Sequence, residues 1–255
     1  MPANGTARTG PVSPAAGHSG KLERYSEKLK HSSALVLFDI DGTLIRGAGP
    51  HHREALVDAI RRTTRVETTT EGVPVAGMLD RDILTTMMLR AGMPRSEIRR
   101  VLPEVIKRAQ SIYVRRVPDL ARKVCPGVRS LLGRLSRRGV IIGLVTGNLS
   151  RIGWRKMERA GLRRYFRFGA FAEMAHDRAG LVRIAIRRAR RERWIGRDSN
   201  ITLIGDHPND VLAAHANGIR VVAVGTGIVS LDELHLHAPH IAVADLRELA
   251  IDTLL

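Results

Sequence analysis

A single cysteine, Cys125, stands among the 255 residues, so no intramolecular disulfide can form and the expected compartment is the reducing cytoplasm. Lying before Pro126 and Gly127, it reads as a packing residue rather than a reactive thiol. Long apolar runs are also missing. Nothing approaches the roughly 20 residues that span a bilayer, and the first 30 residues hold no apolar stretch of the kind that forms a signal-peptide core. Aromatic residues make up only 4% of the chain, which leaves few platforms for stacking nucleic-acid bases. Acidic residues are scarce as well, 25 against 42 Lys and Arg, for a formal charge of +17. A field of that sign attracts anions. The arginines, however, are scattered through Arg61, Arg62, Arg99, Arg100, Arg115, Arg116, Arg187, Arg188, Arg190 and Arg191 rather than gathered beside aromatics. That pattern describes a solvated basic surface better than a nucleic-acid interface.

What the sequence does contain is an ordinary globular balance, 44% apolar and 26% charged, over a length that suits a core with a modest inserted domain. Residues 1–32 are dominated by Pro, Gly, Ser and charge and predict a flexible tail. A continuous apolar run at residues 34–38 then reads as a strand buried on both faces of a parallel sheet. Similar runs recur at 140–145, 168–172, 201–204, 221–224 and 241–243, with amphipathic helical patterns between them at 127–137, 152–160, 180–191 and 210–217. This alternation predicts an α/β, Rossmann-like parallel sheet core over residues 33–49 and 125–255. Residues 50–124 interrupt it with helices at 53–62, 81–89, 95–108 and 111–116, an inserted α-helical cap.

Three segments carry chemistry, each closing a buried run where open α/β sheets bind ligands. Phe38-Asp39-Ile40-Asp41-Gly42-Thr43 sets two carboxylates on the same side of an extended chain, so that one can act as nucleophile while the other handles protons. Thr146-Gly147-Asn148 offers a hydroxyl and free backbone amides to phosphate oxygens, although the same tripeptide also makes a helix-capping turn. Gly205-Asp206-His207-Pro208-Asn209-Asp210 adds a second acid pair, whose hard oxygens beside a phosphate site imply Mg²⁺; a pure capping role for Asp210 is the alternative. His207 either tunes that site or points to solvent. His235, His237 and His240 lack an acidic partner and read as loop residues, and Trp154 and Trp194 as packing residues.

In this order the three segments resemble the haloacid-dehalogenase superfamily, in its branch of phosphoglycolate phosphatases and phosphoglucomutases with a helical cap. The resemblance implies a Mg²⁺-dependent phosphatase that acts on a small phosphorylated substrate through an aspartyl-phosphate. Asp39 would be the nucleophile and Asp41 the acid and base. Thr146, Gly147 and Asn148 would hold the phosphoryl group. Asp39, the carbonyl of Asp41 and Asp206 would ligate the metal, supported by Asp210. The family's usual lysine is missing here; Arg178 takes its place in the register that keeps arginines out of a buried helix face, with Arg183 as second choice. Asp80, Arg81 and Asp82 either start a cap helix or face the substrate. A sugar phosphomutase, or a nucleic-acid-binding protein with a basic surface, is the alternative function. Oligomeric state is not legible.

Overall fold

The computed structural model describes Met1 and residues 32–255. The tail expected over residues 1–32 lies outside the described residues except for Met1 and Ser32, and Ser32 already begins the first strand.

Six strands form one parallel sheet: β1 (Ser32–Phe38), β2 (Ile141–Val145), β3 (Phe168–Ala170), β4 (Ile195–Gly205), β5 (Arg220–Val224) and β6 (Ile241–Val243), in the order β3-β2-β1-β4-β5-β6. β1 is central, and Ala34, Leu35, Val36, Leu37 and Phe38 have no solvent exposure, which explains why this strand has no polar alternation. Phe38 is in register with Leu144 of β2 on one side and Ile204 of β4 on the other, so the next residues of all three strands emerge at one edge. Between β1 and β4 the order of connection reverses, opening the crevice where such sheets take ligands.

Between β1 and β2 run α1 (His51–Thr64), α2 (Asp80–Arg90) and α3 (Arg95–Arg116), followed by α4 (Val128–Arg137) on the sheet. α1 and α3 share an apolar seam of Leu56, Ala59 and Ile60 with Val105, Ala109 and Ile112, all buried. The helices expected at 95–108 and 111–116 are one: Ala109 and Gln110 favour continuation, and both face inward. The chain leaves and re-enters the sheet side by side, with Ile45 bridged to Val124 and the Arg46 amide donating to the Lys123 carbonyl at 2.9 Å.

The remaining helices are α5 (Ser150–Arg159), α6 (Arg178–Arg191), α7 (Pro208–His215) and the short α8 (Leu231–His235). β4 is longer than its apolar run at 201–204, because its first half, Gly196 to Asn200, is largely solvent-facing and carries no hydrophobic signal. Trp154 packs edge-on to Phe171 beneath Arg163, and Trp194 lies against Phe168. Burial pushes the Cys125 thiol up to about 11, consistent with packing rather than reactivity. Among the described residues, no helix is long and apolar enough to cross a membrane.

Candidate functional site

Immediately after β1 the backbone turns at Gly42, whose φ of 88° already favours glycine. A Cβ there would stand 2.0 Å from Oδ2 of Asp206, so the turn can pass this carboxylate only without a side chain. Thr43 donates its hydroxyl to Asp206 Oδ1 at 2.9 Å. Asp39, Asp206 and Asp210 each bring one carboxylate oxygen to within 4.8 Å of the others, and all three are buried. Arg178, the first residue of α6, is 8% exposed; its Nη1 lies 3.3 Å from Asp39 Oδ1 and pairs with Asp210 Oδ1. Arg183 is exposed on the same helix and lines no part of the cavity at the sheet edge.

Three carboxylates against one guanidinium leave an excess of negative charge in a desolvated place. Burial, then the charges of Arg178, Asp210 and Asp41, set Asp39, which is pushed up to about 6. Asp206 is raised to about 8 by burial and by Asp39 and Asp210. Burial raises Asp210 too, against the opposing pull of Arg178. Moreover, Asp39 Oδ1 is buried without a hydrogen-bond donor. Hard oxygens, surplus negative charge and an orphaned carboxylate oxygen fit a small divalent cation. Asp210 also serves α7, its Oδ2 accepting from the His207 amide at 3.3 Å, while His207 Nδ1 accepts from the Asn209 amide at 3.1 Å. Capping and the charge cluster thus coexist at Asp210.

Thr146 and Asn148 are buried at the end of β2. Asn148 Nδ2 donates to Thr146 Oγ1 and to Asp41 Oδ2, both at 2.8 Å. Gly147 accepts through its carbonyl from the Asp80 amide at 2.8 Å. A cavity of about 1030 Å³ is lined by Asp39, Asp41, Thr146, Gly147, Asn148, Arg178 and Asp206; Asp210 sits behind it with no exposure.

Two residues not foreseen from the sequence, Lys156 and His52, join this group, together with Asp80, which the sequence offered as a helix start or a substrate-facing residue. Lys156 on α5 reaches both Asp41 oxygens, at 2.8 and 2.6 Å. His52 on α1 and Asp80 on α2 complete the chain of contacts. Burial raises the Asp41 carboxyl, but Lys156, His52 and the Asn148 amide outweigh it and hold the group below its usual range. The signal for Lys156 was available: with Ile152, Gly153 and Met157 it falls on the inward stripe of α5, where a lysine is out of place. For His52 the sequence carried no comparable mark.

A family model described as haloacid dehalogenase-like hydrolase matches residues 34–218. Among similar proteins, a "Probable phosphatase IndB" of Dickeya dadantii is 25% identical over 227 residues, spanning 84% of this chain and 90% of the relative. A phosphoglycolate phosphatase of Pseudomonas fluorescens is 26% identical over 226 residues, spanning 84% and 78%. Of solved structures, CbbY from Rhodobacter sphaeroides in complex with phosphate superposes with a TM-score of 0.64 at 18% identity, covering 85% of this chain and 96% of that one. The β-phosphoglucomutase of Clostridium difficile gives 0.63 at 17%, covering 86% and 94%. These likenesses establish the shared fold.

Proposed function

This chain belongs to the haloacid dehalogenase-like hydrolase family, and on that premise we propose that it is a cytoplasmic, Mg²⁺-dependent phosphatase of small phosphomonoesters. The observation that carries the reading is Asp39. Its Oδ1 is buried, lacks a hydrogen-bond donor, and lies 3.3 Å from Arg178 at the sheet's ligand-binding edge. Asp39 lines the cavity at this edge, where a carboxylate beside a fixed cation can act as nucleophile toward a bound phosphoryl group.

Asp39 attacks phosphorus, forming an acyl-phosphate as the ester oxygen departs; Asp41, a carboxylate in the resting site, takes the proton of the monoanionic ester and delivers it to that oxygen. Asp41 then takes a proton from water, which attacks the phosphorus and frees Asp39 and inorganic phosphate. Arg178 balances charge on the phosphoryl oxygens, and Thr146 with the backbone of Gly147 and Asn148 orients them. Asp39, Asp206 and the carbonyl of Asp41, backed by Asp210, would hold Mg²⁺, which when bound supplies charge neutralisation at the phosphoryl group. The α1 to α3 segment acts as a cap that shields the site from water. The relatives make phosphoglycolate a first substrate to try.

The reading is tested by measuring phosphate release from a panel of small phosphomonoesters, phosphoglycolate included, with Mg²⁺ and with a chelator. Release that requires Mg²⁺ is expected. Conversion of a sugar phosphate to its isomer without net phosphate release would assign a phosphomutase instead, and release undiminished by chelator would overturn the metal site.

A further inference from the structure

Lys156 is 1% exposed on α5, in a position where leucine or methionine would pack as well. An ammonium group has three protons to donate. The structure surrounds it with three partners: the Asp41 carboxylate, Asn148 Oδ1 at 2.6 Å and His52 Nδ1 at 3.2 Å. If each proton is used, His52 Nδ1 must accept, so its proton resides on Nε2. That nitrogen lies 3.0 Å from Asp80 Oδ2, to which it donates. Asp80 Oδ2 accepts in addition from the Leu149 amide at 2.8 Å, and the Asp80 amide holds the Gly147 carbonyl. Tyr113 of α3 closes the group from the side, its ring edge-on to His52 at 5.6 Å and 6.0 Å from the Lys156 nitrogen.

The chain Asp80–His52–Lys156–Asp41 therefore runs from the helical segment, through α5, to one carboxylate after β1. Burying a lysine to meet a carboxylate that is itself half exposed gains little stability over apolar packing of equal volume, so stability alone does not account for it. What the lysine does is hold Asp41. Both carboxylate oxygens are engaged by it, and without it only the Asn148 Nδ2 bond to Oδ2 would restrain the side chain.

We propose that Lys156 is a positioning residue for the proton chemistry of Asp41, and that His52 and Asp80 make this pose depend on the helical segment being seated on the loop after β2. The proposal rests on the reading of Asp41 as the acid that protonates the leaving group. A residue that aligns a proton donor matters in proportion to how badly the leaving group needs the proton. An alkoxide needs it; 4-nitrophenolate does not.

The test compares kcat/KM, which reports the steps up to departure of the leaving group, for glycerol 3-phosphate and 4-nitrophenyl phosphate. The proteins are wild type, Lys156→Met and His52→Leu, each checked by thermal melting. Lys156→Met should lose about 10²-fold or more on the alkyl ester and at least about tenfold less on the aryl ester. His52→Leu, which leaves the Lys156–Asp41 pair intact, should skew the two substrates in the same direction but less. Equal losses on both esters, or no loss, in a folded Lys156→Met protein would overturn the proposal. Should that variant not fold, equal losses in His52→Leu do the same. If wild type releases phosphate from neither ester nor from any member of the panel, the phosphatase reading fails, and the lysine's role is decided by crystal structures of wild type and variant. A displaced Asp41 carboxylate in the variant supports it, and an unchanged one refutes it.

Discussion

Removing Arg178 tests the charge arrangement of the site at its most exposed joint. At 3.3 Å from Asp39, with an effective dielectric near 20, its Coulomb attraction to that carboxylate is about 5 kcal/mol. Much of this is already present in the resting enzyme, and only the part gained as charge moves onto the phosphoryl oxygens accelerates the reaction. The expected loss for Arg178→Ala is therefore that of a single charge-stabilising donor, about 10²- to 10³-fold in kcat/KM at saturating Mg²⁺. Stability should fall too. The variant leaves three carboxylates within 4.8 Å of one another without their guanidinium, and breaking a buried pair costs about 3–5 kcal/mol. Added Mg²⁺ should recover part of the lost melting temperature, because it replaces the missing positive charge. Arg178→Lys should restore only part of the activity, since the shorter lysine side chain carries its charge short of the point where Nη1 meets both Asp39 and Asp210. Arg183→Ala, an exposed change, should alter turnover by less than about twofold. Kinetics and melts on the same preparations decide it. Activity of Arg178→Ala within tenfold of wild type, or an equal loss in Arg183→Ala, would refute the reasoning.

Two further outcomes follow. Chelator should abolish phosphate release and Mg²⁺ restore it, while excess Ca²⁺ suppresses it, because calcium takes more ligands in a looser geometry; full turnover with Ca²⁺ alone would count against the cluster of Asp39, Asp206 and Asp210 as a Mg²⁺ site. In the helical segment, burial raises the Asp58 carboxyl, but the Arg116 guanidinium 2.7 Å away, with Arg61 and Arg62, more than offsets it and holds the group below its usual value of 3.8. A depressed carboxyl stabilises the fold above its unfolded value and loses that contribution as pH falls through the folded one. Asp58→Asn should thus cost up to about 1 kcal/mol near neutrality, for so exposed a pair, and nothing in strong acid. A melting deficit that is the same at both pH values would show that the pair is not its source.

The sheet was legible because its strands are buried on both faces: a run such as Ala34 to Phe38 has no polar alternation to confuse it with an exposed strand. The Asp39 and Asp41 pair was legible for a related reason, since two acids at the end of such a run have no packing role. Arg178 was reachable through register alone, because starting α6 there keeps Arg187, Arg188, Arg190 and Arg191 off the side buried by Leu181, Ala185 and Ala189. Where sequence reasoning failed, the signal was tertiary. The half of β4 before Ile201 is held by pairing rather than hydrophobicity, with Ser199 Oγ donating to the Ser32 carbonyl at 2.8 Å. Lys156 falls inside the amphipathic pattern at 152–160, from which no role for it was drawn, although its place on the inward stripe marked it. His52 acquires its meaning only when α1 folds back against α5, a contact between residues 104 apart in the chain.

Everything turns on whether Asp39 becomes phosphorylated. Quenching the enzyme in acid during steady turnover, digesting it and mapping peptides by mass spectrometry should find a phosphoryl group on the Asp39 peptide. It should be absent without substrate and absent from Asp39→Asn, a folded variant that releases no phosphate. Phosphate release by Asp39→Asn within tenfold of wild type, or turnover with no acyl-phosphate at Asp39, would contradict the account.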